Sequence, residues 1–235
     1  MELYQQDPYC QSVATTIAAT TFVKKRPAVL VERNILYPGG GGQPFDRGSL
    51  LVGGAEVPVE RAVRVEGQVF LVLAGPAELD AGQEVELRLD WPRRYAHMRC
   101  HSGSHVLMGA VKRRLSDYVA KGIDIQDGGR ACTIRFEGAW QPAPQEAQAF
   151  IEQSNQVIAE NRAIEVVEFA DLGQAIAQAG EIYRGPREMS GPVSIVTVAG
   201  WDANPCGGTH VRAAGEIGPL RLAGCETGKV RFEID

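Results

Sequence analysis

The sequence predicts two successive units of different class, a small antiparallel β-barrel over residues 1–90 and an α+β unit over residues 91–235. Three observations carry this. Short β-rich runs recur between Gly and Pro signals as far as Leu89, the cadence of a small barrel. At Asp90-Trp91-Pro92 the pattern turns helical, with Asp90 placed as an N-cap and Pro92 in the first turn. Beyond that point helical and strand patterns are mixed, as in a sheet backed by helices.

The barrel strands are expected at 12–23, 28–37, 49–52, 62–73 and 84–89. The helix that opens the second unit should run to about Ala120, before Gly122. Residues 130–136 read as a strand. A helix at 144–161 places Ala147, Phe150, Ile151, Ser154, Val157 and Ile158 on one side. Strands follow at 164–169 and 193–198, with Asp171 capping a short helix between them, and the last strand is 229–234. No internal repeat or low-complexity tract interrupts the chain.

With 44% hydrophobic and 23% charged residues in 235, the composition is that of an ordinary soluble chain able to bury a core. No apolar run approaches a membrane span, and the start Met-Glu-Leu-Tyr-Gln-Gln-Asp lacks the features of a signal peptide, so a cytoplasmic protein is expected. The five cysteines, Cys10, Cys100, Cys132, Cys206 and Cys225, are too irregular for a disulfide framework and read as reduced thiols.

One of those thiols belongs to the most informative pattern. His101 and His105 lie four residues apart in Arg99-Cys-His-Ser-Gly-Ser-His, and Cys206 and His210 repeat the spacing in Cys-Gly-Gly-Thr-His. Residues four apart on a helix share a face, close enough for two imidazoles to meet one ion. Counting on from them gives Met108, Val111, Leu115 and Tyr118, a stripe that turns the histidines inward. Imidazole and thiolate together suit zinc, so one zinc ion per chain is expected on His101, His105 and Cys206, with His210 as fourth ligand or just outside. Satisfied core histidines are the plainer alternative. His97, one turn earlier, is a fifth ligand, an outer-sphere partner or a solvated histidine.

The net charge of -5 opposes a generic nucleic-acid binder, yet Arg93, Arg94, Arg99, Lys112, Arg113 and Arg114 fall in a stretch with no acidic residue. They form either a phosphate-binding flank beside the expected zinc site, suited to a polyanion, or a solvated helical face. Gly39, Gly40, Gly41 and Gly42 precede Gln43 in the barrel segment. Four glycines cost backbone entropy and supply no packing, which suggests a place where backbone must come very close to something. A plain hairpin loop is the alternative; neither the P-loop nor the dinucleotide fingerprint is completed.

Taken in order, the glycine loop with Gln43, His101-Ser-Gly-Ser-His105 and Cys206-Gly-Gly-Thr-His210 resemble the editing domain of alanyl-tRNA synthetase and its free-standing relatives, the AlaX trans-editing proteins. The first motif departs from the family, which more often has Thr after the first His and before an Ala. Small residues at Ser102, Gly103 and Ser104 should still let substrate approach. The two-unit arrangement looks like the medium-sized AlaX subgroup.

The resemblance implies an α+β editing domain with zinc and hydrolysis of the ester joining serine, or glycine, to tRNA specific for alanine. It implies catalytic roles for His101, His105, Cys206 and His210, and substrate contacts from Gly39 to Gly42, Gln43 and Thr209. No segment of the chain supplies a synthetase core, so editing in trans by a monomer, without ATP or a membrane, is expected. With three protein ligands zinc keeps a position open for water; with four the site is closed. A metallopeptidase is disfavoured because Ser102 stands where a zincin helix has its Glu. A non-catalytic zinc-stabilised RNA-binding module is the remaining alternative.

Overall fold

The computed structural model describes residues 2–115, 120–126, 128–137, 140–183, 185–186 and 188–235. The chain divides into two compact units, one of residues 1–40 and 44–95, the other of 41–43 and 96–235. Among the described residues no helix is long and apolar enough to cross a membrane.

The first unit begins with a short helix that the sequence reading did not anticipate, α1 (Leu3–Gln6). Its strands are β1 (Ser12–Val23), β2 (Arg26–Val31), β3 (Gly48–Val52), β4 (Ala55–Val65), β5 (Gln68–Leu73) and β6 (Glu84–Leu89). They close in the order β1-β2-β5-β4-β3-β6, every neighbouring pair antiparallel. Closure leaves no strand edge with unpaired backbone groups. The expected barrel is therefore present. Ile17, Leu36, Leu50, Leu71 and Leu87 fill its core at 0% exposure.

Two strand expectations change. Residues 62–73 form parts of two strands, because Glu66 and Gly67 adopt φ 48° and 84° and make a tight hairpin turn between Val65 and Gln68. The expected strand 28–37 stops at Val31. Beyond it, side chains replace a neighbouring strand: Asn34 Oδ1 accepts the Leu36 amide at 2.9 Å, and its Nδ2 donates to the Leu36 carbonyl at 2.8 Å. Asp46 Oδ2 accepts the Tyr37 amide at 2.7 Å.

Asp46 also corrects the basic patch. Arg94 is at 0% exposure, its Nε donates to Asp46 Oδ2 at 2.8 Å, and its Nη2 donates to both Asp46 and the Ile35 carbonyl. It is an interior cross-link of the first unit and takes no part in a surface flank. Arg93 donates to the Phe45 carbonyl at 3.1 Å.

Helix α2 (Trp91–Arg114), which begins in the first unit and continues from Ala96 in the second, follows the Asp90 cap, whose Oδ1 accepts the Arg93 amide at 3.3 Å. It ends before the expected Ala120, which instead opens strand β7 (Ala120–Ile125). Tyr118 lies outside the described residues. Every residue from Cys100 to Lys112 is buried, so α2 is wrapped on all sides rather than carrying one inward stripe. Gly109 permits this on one face, since a Cβ there would come within 2.4 Å of Trp201 Nε1.

The remaining elements are β8 (Ala131–Phe136), α3 (Pro144–Ala159), β9 (Ile164–Phe169), α4 (Leu172–Ala179), β10 (Val193–Val198), β11 (Asp202–Pro205), β12 (Leu220–Glu226) and β13 (Lys229–Ile234). They make a sheet ordered β12-β13-β8-β7 and another ordered β11-β10-β9. The six residues expected on one side of α3 are its buried residues, and Asp171 caps α4 by accepting the Gln174 amide at 2.9 Å. Strands β7, β11 and β12 escaped the sequence reading. β7 and β12 each carry a register shift, next to Gly122 and Gly224 respectively, and β11 is only four residues long, with Asp, Asn and Pro among them.

Replacing Asp46 by Asn leaves the Arg94 guanidinium buried without its counter-charge. The expected loss is about 3–5 kcal/mol of stability, measured by denaturant unfolding.

Candidate metal centre

α2 carries His101 and His105 one turn apart, and the segment after β11 carries Cys206 and His210. The Cys206 amide extends the β-pairing by donating to the Ser194 carbonyl at 2.9 Å, which fixes the start of that segment. The result is a group of four residues whose donor atoms all lie within 4.8 Å of one another. Cys206 Sγ is 3.4 Å from His101 Nε2 and 3.3 Å from His210 Nε2. Tetrahedral zinc separates thiolate sulfur and imidazole nitrogen by about 3.6 Å, so the donor set and its spacing fit such an ion. His97, at 0% exposure, is neither solvated nor a member of the group.

Each imidazole has a residue behind it. His101 Nδ1 lies 2.8 Å from Gln43 Oε1, which also accepts the Thr209 amide at 3.0 Å, while Gln43 Nε2 donates to Thr209 Oγ1 at 2.8 Å. His210 Nδ1 lies 3.3 Å from Ser102 Oγ, which accepts the Val211 amide at 3.1 Å. With Nδ1 protonated and donating outward, His101 and His210 both turn an Nε2 lone pair toward Cys206.

The small residues between the histidines also make contacts within the protein. Ser102 backs His210, Ser104 Oγ donates to the His101 carbonyl at 2.6 Å, and a Cβ on Gly103 would sit 3.3 Å from Ile217, Leu220 and Phe232 side-chain atoms.

Electrostatics in the metal-free group are set by burial and by these neighbours. Burial alone would raise the Cys206 thiol, but His101 and His210 hold it well below the ordinary thiol value. His105 is depressed by burial yet pushed up to about 9 by Asp202 and Cys206. His210 falls to about 3, through burial and then the charge of His101. Asp202, whose burial would raise it, is lowered by His105 and Lys112.

A cavity of about 250 Å³ opens beside the group, lined among others by Gly41, His101, His105, Lys112, Asn204 and Cys206. Gly39 to Gly42 all have positive φ, 81°, 137°, 56° and 85°. At Gly42 the close approach is to the protein's own backbone: its carbonyl accepts the Ile125 amide at 2.9 Å, and a Cβ would meet the Ile123 carbonyl oxygen at 2.1 Å. At Gly41 a Cβ would meet nothing within 4 Å. Gly40 accepts the Tyr37 hydroxyl at 2.9 Å.

Among the remaining basic residues of the second unit, Lys112 is 3% exposed and donates to Asn204 Oδ1 at 2.6 Å and Asp202 Oδ1 at 3.3 Å. Like Arg94, it is an interior residue and leaves the flank. Arg99 donates to the Ile217 carbonyl at 2.8 Å, and Arg113 lies over Trp201 with its Cζ 3.8 Å from the ring centroid. Arg114 is 70% exposed in its side chain, 3.5 Å from Glu146. Asp202 and Asn204 are the neighbours of the site that sequence reasoning missed; their alternation with Cys206 in Asp-Ala-Asn-Pro-Cys was the available signal.

Loading with Co²⁺ is expected to give one ion per chain with a thiolate-to-metal absorption band, and Cys206→Ala should abolish the band. Because His105 holds a proton up to about 9 in the metal-free state, metal uptake below that pH must expel it. Affinity should therefore rise with pH, roughly tenfold per unit, and level off above that value. Calorimetric titration in buffers of different ionisation enthalpy counts the proton released.

Comparison with known proteins agrees with the motifs. Residues 193–231 match the family described as the threonyl and alanyl tRNA synthetase second additional domain. The alanyl-tRNA editing protein AlaX-L of Pyrococcus horikoshii is 30% identical over 94% of this chain and 53% of its own length. The alanine–tRNA ligases of Pyrococcus furiosus and Hyperthermus butylicus are 31% and 32% identical, over 94% and 99% of this chain but 24% and 25% of theirs. The chain thus spans about half the length of the first of these relatives and about a quarter of the others. Along nearly its whole length, from the glycine loop to the last strand, the chain is similar to an AlaX-type alanyl-tRNA editing protein and to one stretch of the alanine–tRNA ligases.

Proposed function

We propose that the chain is an editing hydrolase that cleaves the ester between serine, or glycine, and the terminal adenosine of tRNA specific for alanine. The observation that carries this is the group of His101, His105, Cys206 and His210, of which His101, His105 and Cys206 line a cavity of about 250 Å³. The likeness to AlaX-L supports the substrate class. Zinc is the ion the donors suit, and when bound it supplies Lewis acidity for ester hydrolysis.

The chain's own residues supply the rest. An aminoacyl ester is labile, so holding it in place provides much of the rate gain required. Gly41 leaves the cavity wall open where any other residue would project a side chain. Gln43, whose carbonyl oxygen faces both His101 and the Thr209 amide, serves first to orient a ligand. The Thr209 hydroxyl, which accepts from Gln43, keeps its own proton for a partner such as the serine hydroxyl. A pocket that pairs with that hydroxyl rejects alanine strongly, because alanine leaves buried polar groups unpaired.

Of the basic set, Arg114 presents to a phosphate backbone a side chain that is 70% exposed, with Arg93, Arg99 and Arg113 as further candidates for tRNA contact. The protein acts in the cytoplasm as a monomer and uses no ATP.

Incubating catalytic amounts of zinc-loaded protein with seryl- and alanyl-charged tRNA specific for alanine tests the proposal. Serine is expected to be released with the alanyl ester largely intact. Equal rates, or no release of serine, would reject it, and binding of the tRNA without release would favour the non-catalytic RNA-binding module.

A further inference from the structure

Three imidazoles meet at the candidate metal centre, and two have a neutral hydrogen-bond partner on the outward nitrogen, Gln43 behind His101 and Ser102 behind His210. The outward nitrogen of His105 is different. Its Nδ1 is buried without a hydrogen-bond partner, and Asp202 Oδ2 stands 3.7 Å from it. That carboxylate is itself 1% exposed and held from behind: Lys112 Nζ lies 3.3 Å from Oδ1, and Asn204 Nδ2 donates to Oδ2. Lys112 Nζ also donates to Asn204 Oδ1 at 2.6 Å, which closes a ring of three side chains.

β11 explains the arrangement. Alternate residues of a strand point to one face, so positions 202 and 204 and the next in the series, 206, present a carboxylate, an amide and a thiolate to the same side. Burying a carboxylate and an ammonium costs several kcal/mol per ion before their attraction offsets it, and the second unit places this pair behind His105. The group that gains from such a carboxylate is a ligating imidazole: a partner on Nδ1–H fixes the ring's tautomer and orientation and makes Nε2 a better donor.

We infer that Asp202 is the positioning residue of His105, holding its Nδ1–H so that Nε2 faces the ion, and that Lys112 and Asn204 hold Asp202 in turn. This rests on the four residues being a metal site and is independent of which ester the site cleaves.

The test uses the full chain, Zn²⁺ and a competing chromogenic chelator, with the Co²⁺ spectrum as a second readout. Asp202→Asn removes the charge. The pair Asp202→Asn with Lys112→Met removes both charges together, so that no buried ion is left unpaired. Both are expected to weaken zinc binding 10–100-fold and to alter the Co²⁺ ligand-field bands. Zinc affinity within about twofold of the parent and an unchanged Co²⁺ spectrum in either folded variant would overturn the inference. So would a double variant that stays unfolded in excess zinc, since Asp202 would then be a structural counter-ion. Affinity is read without tRNA, so a parent protein that binds zinc through Asp202 yet releases no serine would end the editing proposal and leave this inference standing.

Discussion

Three buried imidazoles and a partly buried thiol, with all donor atoms inside 4.8 Å, are a demanding arrangement for a protein to hold. Each nitrogen turned inward needs a proton, a lone-pair acceptor or an ion, and each turned outward needs a partner of its own. Much of the second unit answers that demand. α2 is covered from Cys100 to Lys112, the β10–β11 hairpin delivers Cys206, and residues as distant in sequence as Gln43 and Asp202 back single imidazole rings. The protonation pattern follows from the same crowding, with Cys206 pulled toward thiolate, His105 toward imidazolium and His210 toward the neutral form.

The grouping of His101, His105, Cys206 and His210 was legible because it depends on local geometry. A four-residue spacing places two histidines on one helix face whatever the rest of the chain does, and the second pair repeated the spacing with a thiol. Strands with unbroken β-rich runs, such as 12–23 and 193–198, were legible for a similar reason. What failed to show was fixed by partners far along the chain. Arg94 and Lys112 read as members of a basic surface run, but their carboxylates lie 48 and 90 residues away at Asp46 and Asp202. A charge run on a helix is ordinarily solvated, and only the fold reveals that two of its members point inward.

The glycine loop shows a partial success of the same kind. Four glycines signalled close backbone approach, and at Gly42 the approach is to β7, a strand whose Lys-Gly-Ile-Asp core gave no clear β pattern. All four positions use the left-handed half of φ space, where a Cβ is strained, so the run of glycines is a conformational requirement before it is anything else. The small residues around Ser102 were likewise recognised as small for a reason. The reason found is tight packing at Gly103 and a hydroxyl behind His210.

The second compact unit is not one continuous piece of polypeptide, since residues 41–43 belong to it while the flanking stretches 1–40 and 44–95 belong to the barrel unit. A polypeptide beginning at Ala96 would hold all four donor residues and still lack the amide that meets His101. During synthesis Gln43 leaves the ribosome long before Cys206, so the partner of His101 waits for some 160 further residues before the group is complete. Excising residues 96–235 as a minimal module would carry the four residues away from part of their scaffold, and grafting the group elsewhere would require three residues of loop that no cut within that stretch includes.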